Sequence, residues 1–308
     1  MHTIHLPPQT PMGNLCQAVP DGEQSTICSQ TSILHFMCAR VLHLFLYVDP
    51  KYTIHRQYFT KGTDASRVVL KPEAKLSAQG LVDQDTIVFK DLGMQISWKT
   101  VFHVEYAGPI IMHALCYYLS ELIYGVKVQH NYTQTVAFYC VVFHYLKREY
   151  ETHFIHRFSN ATMPFFNIFK NSAHYWLLGG LFISYFLYHP AFTATWSDST
   201  VNILAVVFLL MEMGNFYSHY QLRNLRAPGT RERRNPRGFM FEYTSCANYT
   251  FEVFAWLVFS IMVSTLTSWL FLFVSTGQIA LWAIKKHVAL NKEFGKVPGR
   301  KILFPFIW

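Results

Sequence analysis

Residues 253–284, "VFAWLVFSIMVSTLTSWLFLFVSTGQIALWAI", contain no Asp, Glu, Lys or Arg. A helix needs ~20 apolar residues to cross the hydrocarbon core of a bilayer, so this run is too long for one span and short for two. It reads best as a tight pair of short helices turning near Thr265–Ser268 or Ser275–Gly277. Further apolar stretches lie at 98–120, 133–146, 172–189 and 200–218. The expectation is an α-helical polytopic membrane protein with about six transmembrane helices.

Composition points the same way. The 308-residue chain is 51% hydrophobic and only 14% charged, against about 25% charged in ordinary soluble domains. A net charge of +8 suits either nucleic acid or an anionic membrane surface, and the apolar runs decide against nucleic acid. The loops supply an independent test. Basic residues crowd 147–171, 219–252 and the tail from Lys285, whereas 190–199 has none and 121–132 has only Lys127. This alternation is what the positive-inside rule predicts for six crossings with both termini cytosolic. Of three N-x-S/T sequons, at Asn131, Asn160 and Asn248, only Asn131 falls in a loop on the far side.

The N-terminal part differs. Met1–Gln30 is polar and contains proline, unlike a cleavable signal. Ile33–Val48 is apolar but short for a span and broken by His35, Arg40 and His43. Residues 51–92 mix β-branched residues, turn formers and charges, as a small β-containing module does. The expected boundary separates a cytosolic region, 1–92, from a membrane-embedded region, 93–308. Six scattered cysteines without a CxxC pattern suggest neither a disulfide framework nor a metal site.

Several polar residues sit where lipid would penalise them. Glu105 lies inside the first apolar stretch, with His103 as a candidate neighbour. Asn215, His219 and Arg223 are spaced by four, and Arg226 follows by three, so one helix face carries all of them. That face reads either as a solvated helix end with snorkelling arginines or as an anion pocket, since guanidinium forks match phosphate oxygens. Asn248 and Glu252 share a face at the start of the long uncharged run, with Tyr249 turned about 100° away. Asn248 reads equally as a helix N-cap and Glu252 as a first-turn complement to the helix dipole. Tyr249 then belongs to an interfacial aromatic belt or to chemistry. Nucleotide motifs of the GxGxxG or GxxxxGK[ST] kind are absent, as are HExxH and GxSxG.

Motifs in order along the chain carry a resemblance. From Lys90 to the C-terminus, "KDLGMQISWKTVFHVEYAGP", "ETHFIHRFSNATMPFFNIFKN", "GNFYSHYQLRNLR", "ANYTFEVFAW" and the ending "ILFPFIW" resemble the very-long-chain enoyl-CoA reductases of the microsomal fatty-acid elongation system. "HYQLRNLRAPG" and "PRGFMFEYTSCAN" also resemble the wider steroid 5-alpha-reductase family. The resemblance implies a helical membrane fold in the endoplasmic reticulum that binds NADPH from the cytosolic side and reduces a trans-2-enoyl-CoA beside other elongase-cycle enzymes. It implies Tyr249 and Glu105 as catalytic residues. Asn215, Arg226, Asn248 and Glu252 fall on its dinucleotide contacts, His219 stands where the steroid enzymes have an acid, and Arg223 supports Arg226 at the phosphates. It also implies a ubiquitin-like α+β module, matched only over roughly 66–92. The "NYTFEV" form marks the enoyl reductases; a steroid or polyprenol double-bond reductase and a non-catalytic elongase scaffold are the rival readings. One departure is Leu290, which occupies a position where the family has tyrosine.

Overall fold

A computed structural model of the chain describes residues 2–5, 18–19, 54–61, 68–70, 77–80, 86–158, 160–225 and 234–308. The apolar segment 33–48, most of the first fifty residues, and Arg226, Arg231 and Arg233 lie outside them. The chain divides into two compact units, one formed by Met1–Ser97 with Ala161–Phe165, the other by Trp98–Asn160 with Phe166–Trp308.

The first unit is built on β-strands. These are β1 (His2–His5), β2 (Ala18–Val19), β3 (Gln57–Lys61), β4 (Val68–Val69) and β5 (Thr86–Asp91). They form one sheet in the order β2-β1-β5-β3-β4, with antiparallel pairing throughout. β5 is central, and Ile87, Val88 and Phe89 are all buried; a strand covered on both faces reads as continuous hydrophobic sequence, as "TIVF" does. Phe59 packs on Phe89 with ring centroids 5.5 Å apart. Arg56 grips Asp91 through both carboxylate oxygens, at 3.0 and 2.5 Å, which holds that carboxyl below its ordinary range. A separate two-stranded ladder joins β6 (Gln95–Ser97) to β7 (Thr162–Pro164).

The second unit is helical. α1 (Trp98–Tyr118) is followed by the short α2 (Ser120–Tyr124). α3 (Tyr132–Tyr150) runs on into a π-helical turn, Glu151–Ile155. The next rod joins α4 (Asn167–Ser172), a π-helical stretch (Ala173–Phe182) and α5 (Ile183–Leu187). Then come α6 (Asp198–Asn224), α7 (Ala247–Val263) and α8 (Leu266–Phe294). The long uncharged run breaks at Ser264, which adopts left-handed backbone (φ 48°), and Thr265, whose hydroxyl caps α8 by accepting from the Ser268 amide. No break occurs at Ser275–Gly277, which lies inside α8. Asn131 caps α3 in a reciprocal capping box with Gln134.

α6 and α8 are long and apolar enough to cross a membrane, and only 28% of each apolar window is buried. A core helix of a water-soluble protein would be mostly covered. Here the apolar side chains face outward, as lipid contact requires, and the chain is a membrane protein. Close helix approach is bought with glycine. A Cβ on Gly214 of α6 would meet the Phe251 ring of α7 at 2.5 Å, and one on Gly108 of α1 would meet the Trp176 indole at 2.1 Å.

Candidate active site

Polar side chains gather inside the helical unit because three helices each contribute an inward stripe. On α3 and its π-helical extension, His144, Lys147, Arg148 and Glu151 recur at spacings of three and four and so share a face. Facing them, α6 supplies Glu212, Asn215 and His219, and α7 supplies Asn248 and Glu252. Glu212 is 1% exposed; it meets His144 Nδ1 at 2.9 Å and Lys147 Nζ at 2.8 Å. Lys147 also donates to Asn215 Oδ1 at 2.5 Å. Asn215 Nδ2 donates to the Asn248 carbonyl at 2.8 Å and to Glu252 Oε2 at 3.1 Å. Asn248 Nδ2 lies 3.2 Å from His219 Nε2, and His219 Nδ1 lies 3.1 Å from Glu151 Oε2 and 3.3 Å from the Arg148 guanidinium. Arg148 donates to that same carboxylate oxygen at 2.6 Å and to the Tyr106 hydroxyl at 2.8 Å. The four positions Asn215, His219, Asn248 and Glu252 thus belong to one connected, buried network.

Some simpler sequence readings fail here. Asn248 is not an N-cap: the cap position of α7 is Cys246, which makes no side-chain cap bond, and the helix has no acid in its first turn. Asn248 and Glu252 turn inward because α6 carries their partners. His103 is not the neighbour of Glu105; two residues apart on a helix, they face different ways, and His103 pairs with Glu149. Arg223 is half-buried in the last turn of α6, and Arg226 lies outside the described residues.

The residues expected to be catalytic occupy different walls. Glu105, on α1, is buried. Its Oε1 has no hydrogen-bond partner among the described residues. The buried Tyr145 hydroxyl is likewise unpartnered. Tyr249 is half-buried on a different side of α7 from Asn248 and Glu252, packed near Cys246, Ala283 and Leu303, and the Lys286 ammonium lies 4.3 Å from its ring centroid. No hydrogen bond between described residues joins Tyr249 to Glu105. Leu290 is half-buried on α8; one residue on, Asn291 bonds His287 Nε2 at 2.7 Å, and His287 Nδ1 meets Ser245 Oγ at 2.7 Å.

Beside the network, the loop residue His156 packs edge-on against His219. Its burial, reinforced by the Arg148 guanidinium, holds it well below the ordinary imidazole range. Glu151, His156 and His219 present ligand-type atoms within 4.8 Å of one another. The guanidinium on the Glu151 carboxylate is a poor companion for a metal cation.

The sequence reading passed over His144, Lys147, Arg148, Glu151 and Glu212. A signal is present: Lys147 and Arg148, which mark a positive loop for topology, also continue a three-and-four spacing inward from His144. Glu212 is a lone acid within an apolar stretch.

The helical unit is apolar outside and hydrogen-bonded within, the build of a membrane protein with a polar interior site. The family model described as 3-oxo-5-alpha-steroid 4-dehydrogenase matches residues 161–308. A very-long-chain enoyl-CoA reductase of Dictyostelium discoideum is 45% identical over 240 residues, covering 77% of this chain and 79% of that one. A probable very-long-chain enoyl-CoA reductase of Caenorhabditis elegans is 44% identical over 250 residues, covering 77% and 81%. A putative enoyl-CoA reductase of Trypanosoma brucei is 38% identical over 268 residues, covering 84% and 90%. The chain belongs to the very-long-chain enoyl-CoA reductase family.

Proposed function

We propose that this protein is an NADPH-dependent oxidoreductase that reduces a trans-2-enoyl-CoA to the saturated acyl-CoA, the closing step of very-long-chain fatty-acid elongation. The observation that carries the reading is the buried network. Three residues that the resemblance places on the dinucleotide, Asn215, Asn248 and Glu252, are hydrogen-bonded together across α6 and α7, and His219 joins them through Asn248. The likeness to enoyl-CoA reductases over more than three quarters of the chain supports it.

The donor set fits a dinucleotide in two zones. Asn215, Asn248 and Glu252 offer amide and carboxylate groups that suit a carboxamide and ribose hydroxyls. Arg223, with Arg226 beyond the described residues, supplies guanidinium charge for phosphates. Unpartnered buried oxygens on Glu105 and Tyr145 mark polar groups that await a partner, since buried polar groups are otherwise satisfied. When bound, NADPH supplies a hydride to the β-carbon, which conjugation with the thioester carbonyl makes electrophilic. Tyr249 then gives its phenolic proton to the α-carbon as general acid. Glu105 orients the substrate or its proton relay.

The topology in this reading is six crossings with both termini cytosolic, in the endoplasmic reticulum membrane. Residues 1–92 form a cytosolic, partly ubiquitin-like region and 93–308 the catalytic domain. The acyl chain lies among the apolar helices, and other elongase-cycle enzymes act as partners.

The test is NADPH oxidation by the detergent-purified protein with trans-2-hexadecenoyl-CoA, wild type beside Tyr249→Phe. Turnover that falls by about 10²–10⁴-fold in the mutant is the expected result. A monodisperse wild type that reduces a steroid enone but not the enoyl-CoA, or reduces neither, refutes the reading.

A further inference from the structure

Tyr249 is unlike the other residues expected at the site. The network residues sit among charges and amides, whereas the ring of Tyr249 packs near Cys246, Ala283 and Leu303, with Ile302 and Phe304 also against that cluster. An apolar wall offers no opposite charge to meet the phenolate that proton transfer leaves behind. Against this wall the structure places the Lys286 ammonium, 4.3 Å from the ring centroid.

We propose that Lys286 is a positioning residue for the reduction: its ammonium holds the Tyr249 ring in place and offsets the negative charge that the ring acquires when the proton leaves. The inference rests on the reading of Tyr249 as proton donor. The Tyr249 O–H bond breaks, a C–H bond forms at the α-carbon, the hydride at the β-carbon comes from NADPH, and solvent returns a proton to the phenolate.

The geometry suits both parts of the role. A cation over an aromatic face is attracted by the ring quadrupole of the neutral phenol, which fixes the ring before reaction. The same cation is attracted more strongly once the ring bears a full charge, so the interaction grows along the reaction coordinate. Interactions that strengthen only in the transition state raise kcat without changing affinity. The two residues come from different helices, Tyr249 from α7 and Lys286 from α8, so the pairing is set by how these helices pack. Lys286 is exposed, so its replacement tests charge with little demand on folding.

The experiment uses the full chain in detergent, with trans-2-hexadecenoyl-CoA and NADPH. Wild type, Lys286→Gln, Lys286→Arg, Tyr249→Phe and the double variant Tyr249→Phe/Lys286→Gln are compared in kcat, KM and solvent deuterium isotope effect. Lys286→Gln should lower kcat by roughly 10- to 100-fold, as expected for losing a charge at this range. KM for NADPH should stay within about threefold, and the isotope effect should rise as proton transfer becomes limiting. Lys286→Arg should recover most of the rate. In the Tyr249→Phe background the lysine change should cost nothing further. The inference is overturned if Lys286→Gln keeps wild-type kcat, raises KM for NADPH alone, or lowers the rate equally with Phe at 249. If Tyr249→Phe itself turns over at the wild-type rate, the donor assignment fails, and that result is read without Lys286.

Discussion

Replacing Glu212 with leucine should unfold the helical unit at a markedly lower temperature. The carboxylate is 1% exposed and holds two partners, His144 Nδ1 at 2.9 Å and Lys147 Nζ at 2.8 Å. After Glu212→Leu, the Lys147 ammonium stays buried with Asn215 Oδ1 at 2.5 Å and with Glu151 Oε1 only at 3.6 Å. Breaking a buried ion pair from one side costs about 3–5 kcal/mol, because an uncompensated charge remains. At about 2–4 °C per kcal/mol for a unit of this size, the melting temperature should drop by roughly 6–20 °C. The assay is thermal unfolding in detergent followed by a thiol-reactive dye, since Cys116, Cys140 and Cys246 are buried free thiols. The control is Lys147→Met/Glu212→Leu, which removes both charges with side chains of similar volume and should recover at least half of the loss. A single variant within about 1 kcal/mol of wild type, or a double variant no better than the single, refutes the reasoning.

Two further outcomes follow from individual groups. The Tyr145 hydroxyl is buried with no partner among the described residues, so Tyr145→Phe should melt at the wild-type temperature or above it, the gain bounded by the ~1–3 kcal/mol cost of an unsatisfied group; a clearly lower melting temperature would show a hidden partner. The folded protein holds His156 uncharged, its pKa lowered by burial and by the Arg148 guanidinium. The unfolded chain takes up that proton as pH falls below about 6.5, so stability is lost below that point and is unaffected above it. Each pH unit below it costs up to about 1.4 kcal/mol. His156→Gln should flatten the decline in melting temperature between pH 6.5 and 5, and an unchanged slope would contradict the assignment.

Much of this architecture is legible in the chain because lipid is an unforgiving solvent. Long apolar runs announce α6 and α8, and polar residues set near them, such as Asn215 and Glu252, announce a buried partner. What stays hidden is the identity of those partners. Nothing near Glu212 in sequence points to Lys147, since the contact depends on how α3 and α6 pack. Asn248 shows the converse error: in local sequence it looks like a cap, and only the opposing Asn215 and His219 show that it faces the interior. Tyr249 was singled out by its place beside Asn248, yet its companion Lys286 lies on the next helix, where a run of basic residues reads simply as a cytosolic tail.

The Ser264–Thr265 link carries a consequence for biogenesis. It joins the seventeen-residue α7 to the twenty-nine-residue α8 with both polar side chains satisfied locally, Ser264 Oγ on the Ile261 carbonyl at 2.8 Å and Thr265 Oγ1 on the Ser268 amide at 3.3 Å. A linker this short leaves no chain to thread and no independent topogenic choice for either helix. At 1.5 Å per residue α7 is about 26 Å long, marginal as a lone span but adequate as one arm of a hairpin. A pair so joined is built to move as one wedge, and the residues that meet across it, Tyr249 and Lys286, are brought together by the packing of the two arms alone.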